Sequence, residues 1–110
     1  RPRGAPTRRC RHRARPRLEG MKTSVLGRTG ATVSAIGLGT WQLGADWGDV
    51  SEKDAHAVLD AAVESGVTIV DTADVYGDGR SESIIGAYLR QHPDANVFVA
   101  TKMGRRLPQV

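Results

Sequence analysis

The sequence predicts an α/β fold built from parallel β-α-β units and entered through a short β-hairpin. Three observations carry this expectation. Apolar, largely β-branched runs alternate with stretches whose apolar residues recur at helical spacing. The strand runs are apolar on nearly every residue, as strands covered on both faces require. Ahead of the first unit lie two short strand-like runs joined through Gly27 and Gly30.

Taken in order, residues 22–26 and 31–34 form the hairpin around Gly27-Arg28-Thr29-Gly30. Residues 35–40 follow as a short buried strand, and a loop rich in Gly, Trp and Asp runs from 41 to 50. Ser51 begins a helix, with Ser51 and Asp54 spaced like an N-cap and its acid, close to a capping box. Ala55, Val58, Leu59, Ala62 and Val63 make one apolar stripe, and Gly66 is the C-terminal stop. Residues 67–70 form the second strand, ending at Asp71. A second helix is expected over 81–91, with Ile84, Ile85, Tyr88 and Leu89 on one face and Pro93 beyond its end. Residues 96–101 are the third strand, with Lys102 at its end.

Length and charge narrow the functional classes. At 110 residues the chain is at most one small domain. Its net charge of +4 conceals two regimes: residues 1–20 hold eight Arg against one Glu, and the remainder carries eight Lys+Arg against eleven Asp+Glu. The body is therefore mildly acidic, and no nucleic-acid or anionic-membrane partner is expected for residues 21–110. Residues 1–20 have dense Arg, three Pro and almost no apolar residues, which reads as a disordered leader. A nucleic-acid-binding arm and a transit peptide compete with translated leader ahead of Met21; the abrupt change of character at Met21 favours the last. Cys10 is the sole cysteine, so no disulfide forms within the chain. Without a long apolar run or a signal-peptide core, a cytoplasmic protein with no membrane association is the expectation.

Both doubly wound sheets and (β/α)8 barrels fit this order of elements. The dinucleotide fingerprint G-x-G-x-x-G fails at its third glycine, where Gly37-Leu38-Gly39-Thr40-Trp41-Gln42 has Gln. Chemistry-bearing residues nevertheless gather where parallel α/β proteins place their sites, at the carboxyl ends of strands: Asp71, Tyr76 and Lys102. Reduction of a carbonyl needs a proton donor for the developing alkoxide. A phenol with its ordinary pKa of about 10 is a slow acid near neutrality, and an adjacent ammonium makes it a faster one. A carboxylate paired with that ammonium would hold it in place. Plainer roles stay open: Asp71 as a cap and Lys102 as a solvated loop residue. Trp41 is read as lining a substrate pocket, and Trp47 either lines it too or covers apolar surface. Asp71, Asp74 and Asp78 lack the alternate spacing of a calcium loop, so no metal site is expected.

Four motifs in order add a resemblance. Asp71-Thr72-Ala73-Asp74-Val75-Tyr76-Gly77, followed by Gly79-Arg80-Ser81-Glu82, is similar to the second-strand signature of the aldo-keto reductases. Ile36-Gly37-Leu38-Gly39-Thr40-Trp41 resembles that family's first strand, Leu26-Gly27-Arg28-Thr29-Gly30 its entry hairpin, and Val99-Ala100-Thr101-Lys102 its third strand. The resemblance implies the amino-terminal third of a (β/α)8 barrel, with the hairpin closing its bottom and the barrel incomplete in this chain. It implies NADPH, less often NADH, at the barrel mouth, a small carbonyl substrate, and a catalytic Asp-Tyr-Lys-His tetrad. By motif, Asp71 orients the lysine, Tyr76 is the general acid and Lys102 tunes Tyr76. Gly39, Thr40 and Trp41 would lie beside the cofactor, with Asp71 near its ribose. The family's His follows a fourth strand; His12, His56 and His92 do not match it. A nicotinamide-binding regulatory partner without turnover, or a remnant without function, are the alternative readings.

Overall fold

The computed structural model describes residues 20–44 and 50–105. The expected leader, apart from Gly20, and Trp47 lie outside them. The hairpin pairs β1 (Thr23–Val25) with β2 (Thr32–Ser34) in antiparallel register, Ser24 opposite Val33. A 3-10 turn over Gly27–Thr29 joins them, and Gly30 closes it at φ 70°, where a side chain would be strained. The hairpin is fastened to the rest of the fold by a reciprocal pair. Ser34 N–H donates to Thr68 Oγ1 at 2.8 Å and Thr68 N–H to Ser34 Oγ at 2.9 Å. Thr68 lies at the amino end of the second parallel strand, so the hairpin sits at the end of the sheet opposite the carboxyl termini.

Behind it come β3 (Leu38–Gly39), α1 (Glu52–Glu64), β4 (Ile69–Asp71), α2 (Arg80–Gln91) and β5 (Phe98–Ala100). The three strands form one parallel sheet in the order β3-β4-β5, with Leu38 beside Val70 and Val70 beside Val99. Helix α1 starts and stops for local reasons. Ser51 Oγ accepts from Asp54 N–H at 3.1 Å. At the other end Gly66 N–H reaches Val63 O and Val67 N–H reaches Ala62 O, both at 3.0 Å, a Schellman closure with Gly66 at φ 91°.

Strand alternation sorts the side chains into two layers. Leu38, Val70 and Val99 face the helices and join Leu43, Ala55, Leu59, Ile84, Ile85 and Tyr88 in the core. Gly39, Asp71 and Ala100, side by side in register, face the other way. One expected core residue departs from this. Val58 is 44 % exposed, because α2 covers only part of the α1 stripe and leaves Val58 at its edge. The strands are also shorter than the apolar runs, since residues 35–37 lie ahead of the ladder with β4.

Among the described residues β3 and β5 each lack a partner on their outer edge, and Val25, Ile36 and Met103 are exposed along with Val58. Unpaired edges and open apolar surface favour self-association. Residues 21–110 produced alone should therefore melt without a sharp transition and sediment as a mixture of associated species. A monomer with a cooperative thermal transition would contradict this.

Tyr88 bridges the two helices, its hydroxyl donating to Asp60 Oδ1 at 2.9 Å. Burial first, and then the Asp60 hydrogen bond, push its phenol from 10.0 up to about 12. The folded state thus holds the proton more tightly than the unfolded chain. Its contribution is complete below pH 10 and is lost as pH rises towards about 12, a loss of at most roughly 2–3 kcal/mol. Tyr88→Phe gives up one hydrogen bond, roughly 1 kcal/mol near neutrality, but has no proton to lose. Denaturant unfolding of a complete barrel should rank Tyr above Phe at pH 8 and reverse that order by pH 12.

Candidate active site

The carboxyl end of the sheet is built by consecutive residues stepping from one face to the other. In β4, Asp71 points away from the helices and Thr72 points toward them. After β5, Thr101 donates to Glu82 of α2, and Lys102 returns to the face of Asp71. The two meet closely: Lys102 Nζ lies 2.8 Å from Asp71 Oδ1, 2.7 Å from Oδ2 and 2.9 Å from Thr72 O. Asp71 thus holds the ammonium through both carboxylate oxygens, and Thr72 O accepts another of its protons. The same ammonium is 5.4 Å from the centre of the Tyr76 ring. Lys102 is thus brought to Asp71 and Tyr76 from the end of the next strand, 31 positions past Asp71. Hydrogen bonding to Asp71, outweighing the opposing effect of desolvation, raises the pKa of Lys102 above 10.5, which keeps it cationic at neutral pH. Both members of the ion pair remain about half exposed, so the cluster is open to a ligand.

The backbone around this cluster is tied down strand by strand. Thr72 N–H donates to Ala100 O at 2.8 Å, Asp74 N–H to Lys102 O at 3.1 Å and Thr40 N–H to Asp71 O at 3.0 Å. Beneath it lies a buried knot of hydroxyls. Thr40 Oγ1 donates to Asp71 O at 2.8 Å, while Ser81 Oγ sits 2.9 Å from both Thr40 Oγ1 and Thr72 Oγ1. Thr40, Thr72 and Ser81 are almost wholly buried, and each hydroxyl is satisfied there.

Thr40, expected beside a cofactor, has its side chain 1 % exposed and turned toward α2. Being one residue past Gly39 it faces the helices, and its hydroxyl holds the β4 backbone. Gly39 faces the open side, where an added Cβ would meet nothing within 4 Å, and Trp41 is 47 % exposed at the same end of the sheet. His56 and His92 lie elsewhere, packed edge-on and stacked against Tyr88 between the helices. Asp74 accepts from Gly104 N–H, and among the described residues no three His, Cys, Asp or Glu are placed to hold a metal. No described helix is long and apolar enough to cross a membrane.

Sequence reasoning passed over four residues that shape this end of the molecule. Gly44 and Gly77 bring two loops into backbone contact: a Cβ on Gly44 would lie 2.5 Å from the Tyr76 carbonyl carbon, and one on Gly77 would run into Gly44 O. Arg80 donates to Leu43 O at 2.6 Å and also to Val50 O. Ser81 completes the hydroxyl knot. All but Gly44 lie in the quoted second-strand signature, which was the available signal.

Comparison with known proteins agrees with this architecture. The model of the aldo/keto reductase family matches residues 35–109. Pyridoxal 4-dehydrogenase of Microbacterium luteolum is 46 % identical over 88 residues, which are 80 % of this chain and 25 % of that protein. The NADH-specific methylglyoxal reductase of Escherichia coli is 38 % identical over 87 residues, 76 % of this chain and 27 % of the relative. Among solved structures, the holo form of an aldo-keto reductase from Bacillus halodurans superposes with a TM-score of 0.67 at 34 % identity, covering 80 % of this chain and 28 % of its own. An aldo-keto reductase from Klebsiella pneumoniae in complex with NADPH gives 0.57 at 36 %, covering 67 % and 25 %. The chain spans about a quarter of the length of the curated relatives it matches. With its hairpin, parallel strands and alternating helices forming the first part of a (β/α)8 barrel, the chain belongs to the aldo/keto reductase family.

Proposed function

We propose that, in a complete barrel, this segment supplies three of the catalytic residues of a nicotinamide-dependent reductase converting small aldehydes or ketones to alcohols. The observation that carries the reading is the Lys102 ammonium, gripped by Asp71 and placed over Tyr76. The donor set suits a nicotinamide nucleoside. Gly39 leaves open space beside the exposed Trp41 indole, an apolar surface for a flat ring, and Asp71 has lone pairs left for a ribose hydroxyl. NADPH is the proposed cofactor, with NADH as the variant that one relative's name carries. When bound, the cofactor supplies the hydride.

The residues of the chain handle the proton. Tyr76 donates its hydroxyl proton to the carbonyl oxygen as negative charge builds there. Lys102 stabilises the charge left on the phenol oxygen, and Asp71 stops the flexible ammonium from wandering. In the reverse direction the phenolate takes the proton back, which accommodates the dehydrogenase name of another relative. Residues 21–110 act as the first third of the barrel, and the fourth tetrad member belongs to a later strand. The protein is proposed to work in the cytoplasm.

The test is direct. Full-length protein given nicotinamide cofactor deuterated at the transferable C4 position and a simple aldehyde should yield alcohol carrying one deuterium on the former carbonyl carbon. Cofactor binding without any deuterated product would instead favour a regulatory nicotinamide-binding protein.

A further inference from the structure

Tyr76 has no regular secondary structure to hold it. It sits in the connection between β4 and α2, followed by three consecutive residues in left-handed conformation, Gly77 at φ 65°, Asp78 at 51° and Gly79 at 90°. Asp78 is the one non-glycine residue with positive φ among those described. A connection of this kind is held in register only by what packs against it.

What packs against it comes from the preceding loop. The 3-10 turn Trp41–Gly44 presents Gly44 so closely to the Tyr76–Gly77 peptide that neither glycine has room for a methyl group. Arg80, two residues past Asp78, secures that contact from the other side. Its Nη1 donates to Leu43 O and its Nη2 to Val50 O, so one planar guanidinium joins both arms of the β3–α1 connection to the start of α2. Ser81 N–H adds a bond to Tyr76 O at 3.1 Å.

We infer that Arg80 is a positioning residue for Tyr76: by clamping the Trp41–Gly44 turn onto the Tyr76–Gly77 backbone, it sets the distance between the phenol and Lys102. The inference rests on the proposed reductase activity. The guanidinium bonds go to Leu43 and Val50, not to the Tyr76 ring or the ion pair, so the effect of Arg80 on the reaction passes through the backbone of the turn. A displacement of about 1 Å at a reacting group is enough to lower a rate by up to a hundredfold.

The experiment is a double-mutant cycle in the full-length protein, with the stoichiometry of NADPH binding used to count folded sites. Arg80→Met should lower kcat between about tenfold and a hundredfold while NADPH affinity changes by a smaller factor. Combined with Tyr76→Phe, the same substitution should cost less than about twofold more, because the residue it positions no longer donates a proton. Arg80→Lys, which keeps a cation able to reach one of the two carbonyls, should fall between wild type and Met, and it serves as the probe if Met prevents folding. Gly44→Ala should show the same pattern, since it pushes on the same peptide from the other loop. Equal losses from Arg80→Met in the wild-type and Tyr76→Phe backgrounds would overturn the inference, as would a lowered melting temperature with kcat per folded site unchanged. Failure of the underlying activity shows itself separately, as full turnover by Tyr76→Phe alone.

Discussion

Tyr76→Phe in the full-length protein is expected to lower carbonyl reduction by about two to four orders of magnitude, with NADPH affinity unchanged. The substitution removes one oxygen from a half-buried ring and leaves the packing of the β4–α2 connection in place. What it removes is the proton the carbonyl oxygen must receive. The neighbouring ammonium is a poor substitute, since Asp71 and Thr72 O already hold it and the Asp71 hydrogen bond raises its pKa above 10.5. Binding and chemistry should therefore separate: the ground-state complex forms, and the step after it slows. Measuring single-turnover NADPH oxidation beside a binding titration reads both quantities on one preparation. Retained turnover would remove Tyr76 from the proton-donor role.

Much of the fold was legible because its signals are local. The Ser51 cap, the Gly66 stop and the Gly27–Gly30 turn each depend on residues within a few positions of one another, and all three stand in the structure. Asp71 and Lys102 were also readable, because the carboxyl end of a parallel strand is a place that topology alone picks out. Thr40 was not. Whether a residue just past a strand faces the helices or the open side turns on a single step of alternation, and a G-T-W run does not reveal which residue takes it. The hydroxyl knot of Thr40, Thr72 and Ser81 depends on contacts between residues up to 41 positions apart. Val58 shows the opposite limit. Helical spacing marks it as apolar-face, but burial needs a neighbour, and α2 covers only part of that stripe.

These long-range contacts also explain how open loops hold a close arrangement of three side chains. Each of the groups involved is anchored through backbone atoms: Asp71 by Thr40, Tyr76 by Ser81 and by the Gly44–Gly77 approach, Lys102 by the Asp74 bond. The side chains are thus free to face a ligand while their main chain is fixed from the helix side. Substitutions in the anchors should move rates and stability together. Substitutions in the three side chains should move rates alone.

Lys102→Met is the sharpest case of that separation. The ion pair it breaks is about half exposed, so water can solvate the abandoned Asp71 carboxylate, and the melting temperature should hardly move. The rate of reduction should nevertheless fall by about a hundredfold to a thousandfold, because the charge developing on the Tyr76 oxygen loses its stabilising cation. Asp71→Asn should cost less, since the lysine stays but loses its strongest hold. Lys102→Arg should not restore the rate: a planar, longer guanidinium cannot set a compact charge between Asp71, Thr72 O and the Tyr76 ring as the ammonium does. The pH dependence gives a further check. Asp71 raises the pKa of Lys102 above 10.5, so the residue is charged throughout the range from about pH 6 to 9. The ratio of wild-type to Lys102→Met rates should accordingly be the same at both ends of that range. A ratio that shrinks steadily with rising pH would mean that Lys102, or the Tyr76 phenol it tunes, is already losing its proton within that range.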